Sequence, residues 1–136
     1  MPPLQASRHA GRLLWVWLIY WVVIFAATHT PVPADLPPMP SGSDKAVHFG
    51  MYFGLTLLGG WRIIGARRPP PGETPTQPAT TPWPALLLWA MIYVAYAALD
   101  ELTQRYVNRS VSLADWTANV AGIATATGLL LARRSA

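Results

Sequence analysis

Fifteen consecutive residues, Leu13 to Ala27, read LLWVWLIYWVVIFAA without a single charge. A water-soluble domain rarely tolerates such a run, and three further apolar segments follow it. They cover about 46–64, 83–99 and 113–132, the last rich in Ala and Gly. A helical membrane crossing needs about 20 residues, with a range of roughly 17–25, so each segment qualifies once its polar flanks enter the interface. Only 12% of the 136 residues are charged and 52% are hydrophobic, whereas soluble domains carry about 25% charged residues. The 14 prolines fall at 2–3, in 31–40 and in 69–84, none in the interior of a long apolar run. They punctuate the helices and do not break them.

These features predict an all-α membrane protein of one domain with four transmembrane helices, at about 12–29, 44–64, 83–104 and 112–132. The first segment has the charged flank of a signal peptide. Its aromatics and the lack of a clean small-residue cleavage site favour an uncleaved helix. The outer loop 31–43 is Pro-rich and expected to be ordered. The inner loop of about 66–82, with ARRPPPGETPTQPATTP, reads as a flexible linker. The Lys/Arg bias sets the orientation. With both termini cytoplasmic, seven of the ten cations lie inside: Arg8, Arg12, Arg62, Arg67, Arg68, Arg133 and Arg134. Lys45, Arg105 and Arg109 lie outside, with Asp35, Asp44, Asp100, Glu101 and Asp115; Glu73 lies inside. The expected location is a bacterial inner membrane, multi-pass.

The absence of cysteine excludes disulfides, a thiol nucleophile and Cys-ligated metal. A net charge of +4 raises the question of nucleic acid, but the cations sit at the ends of apolar segments and form no patch, so no such partner is expected. Membrane lipids, a cell-wall precursor, another membrane protein or a second copy of the chain are the expected partners.

In this orientation the polar residues gather at the outer face. On the second helix Asp44, His48 and Tyr52 recur every four residues along one stripe, with Lys45 beside them. The third helix ends in Asp100, Glu101, Gln104 and Arg105. A short loop carries Asn108, Arg109 and Ser110, and the fourth helix opens with Ser112, Asp115 and Asn119. Each has a plain structural reading. Ser41/Asp44 and Ser112/Asp115 fit capping boxes. His48 can be a hydrogen-bonded interior histidine, Tyr52 an interface aromatic, Asn119 interhelical glue, and Lys45 and Arg105 snorkelling cations. Asp100 and Glu101 resist such a reading. They oppose the helix dipole and follow a fully apolar run, where ionised groups are costly. Arg109 is the expected compensating partner, because a guanidinium grips a carboxylate with two parallel hydrogen bonds. Gly50-x-x-x-Gly54 and Ala118-x-x-x-Gly122-x-x-x-Ala126 supply smooth faces for close packing.

DKAVHFGMYFGL (44–55), ALDELTQ (98–104) and NRSVSLADWTANVAG (108–122) together resemble the VanZ-like family. The resemblance runs from the second helix to the fourth; the long Pro-rich inner loop departs from the family pattern. It implies a small bacterial membrane protein, in a family whose founding member is linked to resistance to the glycopeptide teicoplanin. The family signature falls on Asp44, Lys45, His48, Asp100, Glu101, Gln104, Arg109, Asp115, Asn119 and Gly122.

Two functions compete. In the first, Asp44, Lys45, His48, Gln104, Arg109 and Asn119 bind an anionic lipid head group, wall precursor or partner without chemistry, aided by two helix N-termini that attract anions. In the second, Asp100, Glu101, His48 and Asp115 are candidates for acid–base catalysis of hydrolysis or group transfer on a lipid-linked substrate. A proton path is a weaker third, since the inner halves of the helices carry almost no ionisable group. One histidine among oxygen donors is a loose metal pattern, so no metal and no cofactor are expected.

Overall fold

The computed structural model describes residues 3–31, 40, 42–65 and 83–133. The side chains before Gly11 lie outside this set, as do Ser41, Asp35 and the loops at 32–39 and 66–82, with the expectations attached to them. All secondary structure among the described residues is helical: α1 (Pro3–His29), α2 (Ser43–Gly65), α3 (Trp83–Gln104), a 3-10 turn (Arg105–Val107) and α4 (Leu113–Ala132).

The helix starts and stops follow local chemistry. Gly42 has φ +86, a left-handed conformation that glycine takes without strain, and Ser43 N–H then bonds the Pro40 carbonyl at 3.1 Å before α2 begins. Ser112 caps α4 by accepting from Asp115 N–H at 3.2 Å. Between α3 and α4, Asn108 takes φ 58 and ψ 32, and Arg109 N–H closes on the Gln104 carbonyl. Asn is among the few non-glycine residues that accept this conformation readily.

α2 and α4 share the most extensive contact, and α2 touches each of the other three helices. Close approach is permitted by Gly122, where an added Cβ would collide with the backbone of Phe49 and Phe53. Nothing lies within 4 Å of the space a Cβ at Gly50 would take, while Gly54 faces Tyr20 of α1. The expected Gly50/Gly54 packing face is therefore only half used. Gly59 and Gly60 do the corresponding work further along α2, facing Tyr93 and Leu130. Trp17, Ile24, Tyr52, Leu55, Tyr93, Ala97 and Ile123 form the apolar core.

Two helical stretches, Gly11–His29 and Trp83–Val107, are long and apolar enough to cross a membrane. Only 17% and 28% of their apolar windows are buried within the bundle. Their hydrophobic side chains thus face outward: Trp15, Ile19, Val22 and Phe25 on α1, and Leu88, Met91 and Leu99 on α3, are exposed. An exposed apolar surface of this extent suits a hydrocarbon solvent. α2 and α4 are diluted by Asp44, Lys45, His48, Asp115, Asn119 and their glycines.

Candidate functional site

Successive helices run in opposite directions, so the C-terminal ends of α1 and α3 meet the N-terminal ends of α2 and α4. Every buried carboxylate and imidazole among the described residues lies at this end. His48 comes from α2, Asp100, Glu101 and Gln104 from α3, and Asn119 from α4, all buried. The expected juxtaposition of these five is therefore present, and Asp115 joins them partly buried.

Glu101 is the hub. Its Oε2 accepts the Ser112 N–H at 3.2 Å and its Oε1 accepts from Gln104 Nε2 at 3.4 Å. His48 Nδ1 lies 3.6 Å from the same Oε1. His48 Nδ1 is also 3.1 Å from Asn119 Oδ1, within hydrogen-bond reach. The α4 N-terminus thus receives a carboxylate from α3, and its dipole offsets the charge of Glu101. This corrects the expectation that both helix N-termini are open to an external anion: that of α4 is already filled.

Asp100 is held by α1. Thr28 donates to its Oδ1 at 3.0 Å, and His29 Nδ1 lies 3.6 Å away. His29 also bonds Thr103 Oγ1 through Nε2 at 2.9 Å. Asp100 Oδ2 and the hydroxyls of Tyr52 and Tyr96 are buried without a hydrogen-bond partner. Neither Thr28 nor His29 stood out in the sequence. A Thr-His pair ending an apolar helix reads as a simple terminus, although placing both chain ends on one side does bring it to the level of Asp100.

Arg109 is the clearest departure. It forms no ion pair with Asp100 or Glu101; its Nη1 donates to the carbonyls of Ala27 at 3.1 Å and Thr30 at 3.4 Å. It ties the α3–α4 loop to the C-terminus of α1, where orphan carbonyls and the negative end of the dipole favour a cation. The compensation assigned to it is supplied by hydrogen bonds and histidines.

Asp44 and Lys45 stay at the rim. They pair at 3.0 Å with side chains 43% and 47% exposed, and Lys45 Nζ also lies 3.7 Å from Asp115 Oδ1. Arg105 is exposed and sits over Tyr106, donating to its hydroxyl at 2.8 Å. The site is therefore an acidic, histidine-lined interior with Lys45 and Arg105 on its edge. No protein-family model matches the chain, and neither a curated protein nor a solved structure matches it.

Proposed function

We propose that the chain is a VanZ-like integral membrane protein of a bacterial inner membrane and that it binds a phosphate-bearing envelope lipid at its polar end. In this reading all four helices cross the bilayer, both termini are cytoplasmic and the polar end faces outward. The positive-inside bias supports the orientation, and the outward apolar faces of α1 and α3 support the bilayer. The three motifs of the VanZ-like resemblance fall on the residues that meet at this end. A contribution to glycopeptide resistance, teicoplanin included, belongs to the same reading.

The observation that carries it is the layout of charge. A network of buried Asp100, Glu101 and His48 with partly buried His29 has exposed Lys45 and Arg105 at its rim, which this reading sets at the depth of the lipid head groups. Groups buried in a bundle at that depth are costly and mark functional sites by default. The rim cations contact the phosphate, and the network beneath them fixes the helix ends that present those cations.

Mass spectrometry of lipids that co-purify in mild detergent tests this. Enrichment of a phosphate-bearing lipid over the bulk membrane is expected, with loss of that enrichment in the Lys45→Gln, Arg105→Gln double variant. The same bulk composition in both samples contradicts it.

The two histidine–carboxylate pairs, each at 3.6 Å, favour a second reading, acid–base catalysis on a lipid-linked substrate. Here one of His48 and Glu101 takes a proton from the attacking water while the other gives one to the leaving oxygen. Turnover of such a lipid by the purified chain, abolished in Glu101→Gln with the fold intact, separates this reading from binding alone.

A further inference from the structure

We propose that His48, Glu101 and Asp115 form a binding site for a divalent transition-metal cation, of the zinc or manganese class. Each residue comes from a different helix, and one donor atom from each lies within 4.8 Å of the other two. A single ion in their midst reaches all three at ordinary coordination distances of about 2.0–2.2 Å with small side-chain adjustments. Asn119 Oδ1, 3.1 Å from His48 Nδ1, adds a further oxygen to the same cluster.

The local bonding explains why these groups are available. Ser112 and Asp115 have the spacing of a capping box, in which the acid reaches back to the N-cap N–H. Here Glu101 Oε2 takes that N–H instead, at 3.2 Å. Asp115 is thereby released from its local partner, and its Oδ1 is sealed from solvent with no hydrogen bond. Lys45 Nζ stands 3.7 Å from it, at ion-pair range but beyond hydrogen-bond reach. Buried polar atoms are normally satisfied, so an orphaned carboxylate oxygen within a three-helix donor set points to a ligand.

Electrostatics favours the same answer. Two carboxylates this close repel one another in a low-dielectric interior, and the nearest permanent cation is half exposed. A divalent ion neutralises both. One imidazole with two carboxylates and no thiolate suits zinc or manganese and disfavours copper(I). Three protein ligands also leave coordination positions open. This part rests on the head-group reading: a bound cation gives an acidic interior the means to hold a phosphate.

The test uses the full chain in phospholipid-free detergent, stripped with chelator and titrated with zinc chloride by calorimetry and with manganese chloride in parallel. One ion per chain and a rise in unfolding temperature are expected. Asp115→Asn removes a ligand without removing a side-chain hydrogen bond, so it retains the fold and should weaken binding by more than about tenfold. His48→Gln should do the same. Asp44→Asn and His29→Gln should bind as the native chain does. Absence of binding to the native chain, undiminished binding in Asp115→Asn, or loss of binding in His29→Gln each overturns the site. Lipid is absent throughout, so the outcome does not depend on whether the head-group reading holds.

Discussion

The two ends of the bundle are held together by different physics. At one end, Thr28, His29, His48 and the Ser112 N–H reach across helix boundaries to two buried carboxylates, and Asn119 of α4 meets His48 of α2. At the other, contact is apolar and steric: Gly59 and Gly60 admit Tyr93 and Leu130, Trp17 packs edge-on against Trp89, and a cross-helix hydrogen bond runs from Trp17 Nε1 to the Tyr93 hydroxyl at 3.0 Å. In a hydrocarbon solvent, helix association is driven by packing and interhelical hydrogen bonds. The second end does this economically. The first places ionisable groups where they are expensive, which a purely structural bundle has no reason to do.

The comparison can be broken most easily at Glu101. Glu101→Ala leaves the Ser112 N–H, Gln104 and His48 without their common acceptor. A loss of about 3–5 kcal/mol is expected, the range for breaking a buried charged network, read as a fall in unfolding temperature in detergent. Gly122→Ala comes next, between the two ends. Its Cβ would meet the Phe49 and Phe53 backbone, which cannot swing aside, so about 1–3 kcal/mol is lost. The matching change Gly50→Ala, in open space, should be neutral or slightly stabilising through helix propensity. A similar response at both glycines would break the α2–α4 packing account.

Smaller effects sharpen the contrast. Thr28→Val keeps the shape and removes the donor to Asp100, at about 1–2 kcal/mol. Tyr93→Phe removes the hydroxyl that Trp17 uses at the opposite end, at about 1 kcal/mol. If Tyr93→Phe proves the costlier of the two under the same unfolding assay, the polar end is not the more tightly bonded one. Arg105→Gln, on the exposed rim, should leave stability unchanged within about 0.5 kcal/mol.

What could be read from residue order divides along the same line. The helices were legible because apolar runs, prolines and caps are local signals. Fixing helix direction was enough to bring His48, Asp100, Glu101, Gln104, Asp115 and Asn119 to one end. Identifying who bonds whom was not. Arg109 stands close to Asp100 and Glu101 in sequence, yet its stem leads to α1, and side-chain reach depends on the loop turn at Asn108. His29 and Thr28 belong to a helix whose composition announces only an anchor. The Ser112–Asp115 spacing correctly marked a helix start, but could not reveal that a carboxylate from α3 occupies half of the cap. Gly50 and Gly54 have the familiar spacing, whereas close approach along α2 also uses the adjacent pair Gly59 and Gly60, which no spacing rule selects.

If the polar end faces outward across a membrane, it is open to reagents added from outside, and the lack of native cysteine makes this directly measurable. Ser110→Cys marks the polar end and Gly65→Cys the opposite one, both at exposed positions. Each variant is labelled in spheroplasts with a membrane-impermeant maleimide, before and after permeabilisation. Immediate labelling of Ser110→Cys is expected, with labelling of Gly65→Cys only once the membrane is opened. Equal labelling of both from outside, or the reverse pattern, contradicts it.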